Sequence, residues 1–165
     1  MLAKRRSFLR AFQEQLRQGE VIKHYLALVS GAWEGGKQTV KAPLRKNLLR
    51  GGERVVTVDE SGKEAISVFK PVTRFRMATL VEVELKTGRT HQIRVHGAHI
   101  GHPLAGDEKY GDPAFNQTMK RLGLRRMLLH AHYIEFADTV KGEKITVSAP
   151  LDDALKAVID QLEPT

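Results

Sequence analysis

Two observations predict an α+β fold with a largely antiparallel or mixed sheet: strand-like segments outnumber helical ones, and most strands follow one another directly instead of alternating with helices. The elements read as follows. Ser7 is placed to cap a helix whose apolar residues Phe8, Leu9, Phe12 and Leu16 share one face and which Gly19 stops. Residues 21–30, VIKHYLALVS, read as a mostly buried strand ending at Gly31. From Gly31 to Glu53 the chain is broken by Gly35-Gly36, Pro43 and Gly51-Gly52 and carries Lys37, Lys41, Arg45, Lys46 and Arg50. It reads as an exposed basic excursion, either an RNA backbone track or a solvated loop. ERVVTV and EAISVF flank DESGK as a hairpin would, and ATLVEVELK at 78–86 is the clearest strand. Thr90 is positioned to cap a helix of HQIRVHGAHI that ends at Gly101 and Pro103. The turn-rich HPLAGDEKYGDP follows, then a short polar helix near 114–121, strands MLLHAHYIEF and EKITVSAP, and a closing helix DDALKAVIDQL. No boundary divides residues 1–165, so a single domain is expected.

A chain of 165 residues can bury roughly two-thirds of the surface its unfolded form exposes. Its hydrophobic (41%) and charged (28%) fractions are those of a globular protein, which argues against disorder. Twenty-seven Lys and Arg against 19 Asp and Glu give a net charge of +8, which points to a polyanion, although basic surfaces also serve solubility. The absence of cysteine excludes disulfides, thiolate metal ligands and cysteine nucleophiles. The start, MLAKRRSFLR, lacks the order of a signal peptide, and no apolar window is long enough to span a membrane. A cytoplasmic location with neither a membrane nor DNA as partner is expected.

The segment KTGRTHQIRVH at 86–96 concentrates the chemistry, with Lys86, Arg89, His91, Arg94 and His96 within eleven residues after a strand that must turn at Thr87-Gly88. Side chains at a strand end and in a first helical turn converge where unpaired backbone N–H groups also point, so an anion is well received there. His91 and Arg94 are helical neighbours. Arg94 either serves function or pairs with a carboxylate to hold the helix against the sheet. The histidines at 91, 96, 99 and 102, and the pair His130 and His132, have poor metal-ligand spacing, and no HExxH pattern occurs. No metal is expected; RNA contacts or satisfied polar histidines are. Asp107, Glu108 and Asp112 alternate with Gly106, Lys109 and Gly111 in a turn composition that favours turn and ion-pair roles over paired acid-base work. No G-x-S-x-G elbow, phosphate loop or dinucleotide fingerprint is present. Tyr25 can stack on a base or fill the core.

The run KTGRTHQIRVHGAHIGHPLAGDEKYG resembles the third conserved motif of the RluA-type pseudouridine synthases, which modify ribosomal and transfer RNA. HYLALV resembles that family's tyrosine-bearing strand, and RMLLHAHYIEF with TVSAP its closing strands, so the likeness covers essentially the whole chain. The resemblance implies the pseudouridine synthase catalytic fold and a cofactor-free isomerisation of flipped uridines in RNA, ribosomal RNA of the large subunit foremost. It also implies that Arg94 pairs with the catalytic aspartate, that Tyr25 stacks on the target base, and that Leu128 or Leu129 forms part of an apolar wall. Arg89, His91 and His96 are then left to meet the RNA or brace the turn.

The sequence departs from the family where the catalytic aspartate belongs. That residue lies in a motif close to HRLDxxTSG ahead of a strand, and residues 1–4 resemble the last part of that strand. The expectation is therefore an N-terminally incomplete catalytic domain, without an S4-like RNA-binding domain, that is inactive as it stands and whose open sheet edge favours self-association. The alternative is a non-catalytic RNA-binding module.

Overall fold

The computed structural model describes residues 4–48, 54–138 and 141–165. Residues 1–3, Arg50 and the Gly51-Gly52 break, all used in the reading above, lie outside that set. The elements are helix α1 (Arg6–Gln18), strands β1 (Ile22–Ser30), β2 (Gln38–Lys41), β3 (Leu44–Leu48), β4 (Arg54–Val58), β5 (Ile66–Arg74) and β6 (Ala78–Leu85), helices α2 (Gln92–His99) and α3 (Pro113–Arg121), strands β7 (Leu129–Ala137) and β8 (Lys144–Ser148), and helix α4 (Asp153–Ile159). Six strands form one antiparallel sheet in the order β2-β5-β6-β1-β7-β8, and β3 and β4 form a separate two-stranded sheet. The expected α+β architecture is what is observed.

Alternation along the central strands divides the core in two. Ala27 and Val29 of β1, Val81 and Val83 of β6 and Phe69 of β5 point to one face, where Ile93 of α2, Trp33 and Leu104 cover them. Leu28 and Leu80 point to the other, against Phe115 and Met119 of α3 and Leu155 and Val158 of α4. A strand sandwiched in this way needs apolar residues at consecutive positions, hence the run LALV in β1.

Several expectations are corrected. Ser7 does not cap α1: the helix starts two residues earlier, Arg5 is the N-cap, and no side chain closes the first turn. Tertiary contacts hold α1 instead, since Phe8 and Phe12 pack against Phe136, and the buried Gln15 amide exchanges two hydrogen bonds with the Ala137 backbone. The hairpin across DESGK does not form. β4 pairs with β3, while β5 joins the main sheet between β2 and β6. Asp59 folds the turn by accepting from the Ser61 N–H and hydroxyl, and Lys63 exchanges backbone bonds with Leu44, so the chain is carried past β3 instead of back along β4. The basic excursion contains two strands, β2 and β3, whose sequence is too polar for alternation to reveal. Thr90 does not cap α2; His91 occupies the N-cap position in the left-handed region.

Candidate active site

The turn between β6 and α2 is locked by a continuous chain of polar groups. Thr87 accepts from the Ile66 N–H through Oγ1 and donates the same hydroxyl to Gln92 Oε1, which also accepts from the Arg89 N–H. Gln92 Nε2 donates to the Ile66 carbonyl and to Ser67 Oγ. His96 stands at the end of the chain, fully buried, with Nδ1 3.0 Å from Ser67 Oγ and Nε2 2.9 Å from the Ala42 carbonyl. A carbonyl only accepts, so Nε2 carries the proton and Nδ1 accepts from the serine hydroxyl. Burial holds this imidazole below its ordinary pKa, opposed by the Ala42 bond, and hence neutral. Of the two roles open to His96 it takes the bracing one, because no face of it reaches solvent.

This brace fixes the start of α2, from which Arg94 projects. The Arg94 guanidinium meets Asp107 in a bidentate pair, Nε to Oδ2 and Nη2 to Oδ1, both 2.7 Å. The Asp107 side chain is fully buried, and Oδ1 accepts two more bonds, from the Lys109 and Tyr110 N–H groups. Burial pushes the Asp107 carboxyl up, but the Arg94 bond and the two backbone donors outweigh it and hold the group below the usual carboxylate range. The Tyr110 ring lies under the guanidinium, 4.9 Å from centroid to Cζ, a cation–π contact. Asn116 of α3 clamps the turn, accepting from the Gly106 N–H and donating to the Asp107 carbonyl. Nη1 of Arg94 has no acceptor among the described residues.

His91, at φ 55, is the one non-glycine residue with positive φ among the described residues, and such strain persists only where surroundings enforce it. Its Nδ1 is 3.0 Å from the Tyr110 hydroxyl, which accepts from the Val56 N–H of β4. Burial first, then the charges of Arg94 and Lys109, hold His91 below its ordinary pKa against the pull of Asp107, so the neutral ring accepts the tyrosine proton. His91, Arg94, Asp107 and Tyr110 together line a cleft of about 1180 Å³ whose remaining wall includes Lys109, Lys120, Arg125 and Arg126. The cleft is basic, and its single buried carboxylate is already committed to Arg94.

The other expected site residues are distributed around it. Arg89 donates from Nε to the Glu64 carbonyl and lines an adjoining groove with Arg45, Lys46 and Lys63. Tyr25 is half-buried in the cluster that contains Met127, itself a cleft residue, and Leu129, but Tyr25 is not among the residues lining the cleft. Leu129 shares that cluster. Leu128 does not: it is wholly buried in the core on the opposite sheet face, because neighbouring strand residues point to opposite sides. The histidines on and after α2 do not converge, since His96 is tied to Ser67, His99 is exposed, and His102 donates to the Ser30 carbonyl beside Trp33. Asp107, expected from the sequence in a turn and ion-pair role, has that role inside the site, and Tyr110, which the sequence did not single out, belongs to the site as well. The signal available for them was GDEKYG, in which two glycines bracket two acids and one aromatic in a tight turn.

Comparison with known proteins gives the family and the fold. A sequence model of the family described as RNA pseudouridylate synthase matches residues 1–99. A Pasteurella multocida protein named ribosomal large subunit pseudouridine synthase C is 49% identical over 162 residues, covering 98% of this chain and 50% of that protein. The protein of the same name from Haemophilus ducreyi is 48% identical, covering 98% and 51%, and that from Escherichia coli K12 is 44% identical over 164 residues, covering 98% and 51%. The chain thus spans about half the length of these curated relatives. In architecture it is similar to human RNA pseudouridylate synthase domain containing 1, with a TM-score of 0.82 at 24% identity over 99% of this chain and 67% of that one. The motif KTGRTHQIRVH, the antiparallel sheet that carries it and these matches lead to one conclusion: the chain belongs to the RNA pseudouridylate synthase family, in its RluA-type branch.

Proposed function

We propose that this chain is part of a cytoplasmic enzyme that isomerises specific uridines of large-subunit ribosomal RNA to pseudouridine without a cofactor. In this reading the cleft receives a flipped uridine. The bond from ribose to ring nitrogen breaks, the base turns, a bond to ring carbon forms, that carbon's proton leaves to solvent, and the freed ring nitrogen takes up a proton. Arg94 holds the catalytic carboxylate ionised, Tyr25 and Leu129, which share a cluster with the cleft residue Met127, supply the apolar platform beside the cleft, and Arg89 and His91 meet the RNA. The carrying observation is the Arg94 fork: Asp107 occupies the Nε and Nη2 edge, leaving Nη1 for a second carboxylate. Asp107 does not fill the catalytic role itself, because its side chain is fully buried and saturated with hydrogen bonds.

No HRLD stretch occurs in the 165 residues, so on their own they are expected to release no tritium from unmodified ribosomal RNA labelled at the uridine carbon that forms the new bond. Turnover by this chain alone overturns that part of the reading. Pseudouridine mapping of ribosomal RNA from wild-type and deleted cells tests the rest: loss of specific large-subunit sites supports it, and unchanged maps favour a non-catalytic RNA-binding module.

A further inference from the structure

We propose that His24, Glu82 and His132 form a binding site for a divalent transition-metal ion of the zinc type, separate from the cleft. The three residues come from the adjacent strands β1, β6 and β7, and their ligand atoms all lie within 4.8 Å of one another. His24 Nδ1 is 3.4 Å from Glu82 Oε2, and His132 Nε2 is 3.0 Å from Glu82 Oε1. Donors sharing a tetrahedral zinc at bond lengths of 2.0–2.2 Å stand about 3.3 Å apart, which the two histidine–glutamate spacings match. The two imidazole rings meet edge to face, with centroids 6.3 Å apart and planes at 66°. Each side chain is about one-quarter exposed, at 25%, 26% and 24%, so water can complete the coordination. Two imidazoles and one carboxylate are a set that binds zinc and leaves an open position.

A backbone irregularity makes the convergence. In the pairing of β1 with β7, His24 faces Tyr133 and Tyr25 faces Ala131, so His132 is the extra residue of a β-bulge. Such a bulge re-aims a side chain, and here it brings His132 to Glu82, two strands away. None of the three residues lines the Arg94 cleft. The site therefore ties the three central strands together and does not enter the isomerisation. In the metal-free protein Glu82 accepts a hydrogen bond from His132 and lies beside His24; an ion needs both imidazoles unprotonated at the ligating nitrogen, so binding weakens as pH falls.

The test is zinc chloride titrated calorimetrically into the chelator-stripped chain, with cobalt chloride as an optical probe of tetrahedral geometry. One ion per chain at a Kd of about 10 µM or tighter is expected, with a rise in unfolding temperature at saturating zinc. His24→Ala and His132→Ala should each weaken binding at least tenfold, while the exposed His99→Ala should not change it. Far-ultraviolet circular dichroism of each variant confirms that it is folded, and Glu82→Gln supplies an independent ligand loss of the same size. No saturable binding to the folded wild-type chain overturns the proposal, as does binding that persists unchanged in both histidine variants.

Discussion

Replacing Asp107 with asparagine isolates the charge at the centre of the cleft with almost no change in volume. The aspartate accepts four hydrogen bonds, two from Arg94 and two from backbone N–H groups, and its side chain is fully buried. An asparagine presents one NH₂ in place of an acceptor oxygen, so whichever way it turns, a donor faces a donor. Removing one partner of a buried ion pair costs about 3–5 kcal/mol, and the 18% exposure of the Arg94 side chain places this case near the lower end, about 3 kcal/mol. For a chain of this size that corresponds to a fall in Tm of roughly 6–12 °C. The assay is urea unfolding followed by circular dichroism, comparing midpoints at unchanged slope. The pH dependence supplies a second readout. The folded pKa of Asp107 lies below its unfolded value of about 3.9, so its contribution is present above that value and is lost as pH falls through the folded pKa. The gap between wild type and Asp107→Asn should be constant from pH 8 to about 5 and close in stronger acid. A variant within about 0.5 kcal/mol of wild type at neutral pH, or a gap indifferent to acid, would refute the reasoning.

Three further outcomes are expected. His96→Ala strands the Ala42 carbonyl and Ser67 hydroxyl at a cost of about 2–4 kcal/mol, and it flattens the loss of stability as pH drops through about 6.5, where the unfolded histidine protonates before the buried one; a variant as stable as wild type would return His96 to the RNA-contact role. Replacing Arg45, Lys46 and Arg89 by alanine should weaken binding to a single-stranded ribosomal RNA fragment and lower the salt slope of log K by about 2, measured by fluorescence anisotropy; an unchanged slope would remove the groove from the RNA path. The edge strand β8, with Val147 half exposed, should support concentration-dependent association in sedimentation that Val147→Lys suppresses; a strict monomer over a wide concentration range would count against it.

The sequence disclosed those parts of the fold that depend on local pattern. β1 and β6 were legible because apolar residues run through them, and α2 and α3 because glycine and proline bound them. Strand pairing was not legible. Whether β4 pairs with β3 or β5 turns on long-range fit, here the packing of Phe69 and Ser67 into the main core and the bonds of Lys63 to Leu44, neither of which local pattern around DESGK announces. The site shows the same division. Arg94 and His91 stood out because charge clusters around a strand end, whereas Asp107 resembled any acid in a glycine-rich turn until its burial was seen. The His24, Glu82 and His132 group was hidden further, since it needs three strands and a bulge to assemble.

The separation of the two sheets gives the cleft one stiff side and one yielding side. β1 is hydrogen-bonded along both edges and covered on both faces, so its amides exchange with solvent only when the whole domain opens. The β3–β4 ribbon stands outside that cooperative unit. It rests on a small cluster of Leu44, Val56, Ala65 and Val95, and the Tyr110 hydroxyl fastens it at Val56. Its free energy of opening is correspondingly small, and hydrogen exchange should register it as a separate, faster foldon. Lifting this ribbon would open the β4 side of the cleft at the expense of that small apolar cluster and one tyrosine hydrogen bond, while the Arg94–Asp107 pair, which involves neither β3 nor β4, keeps its geometry.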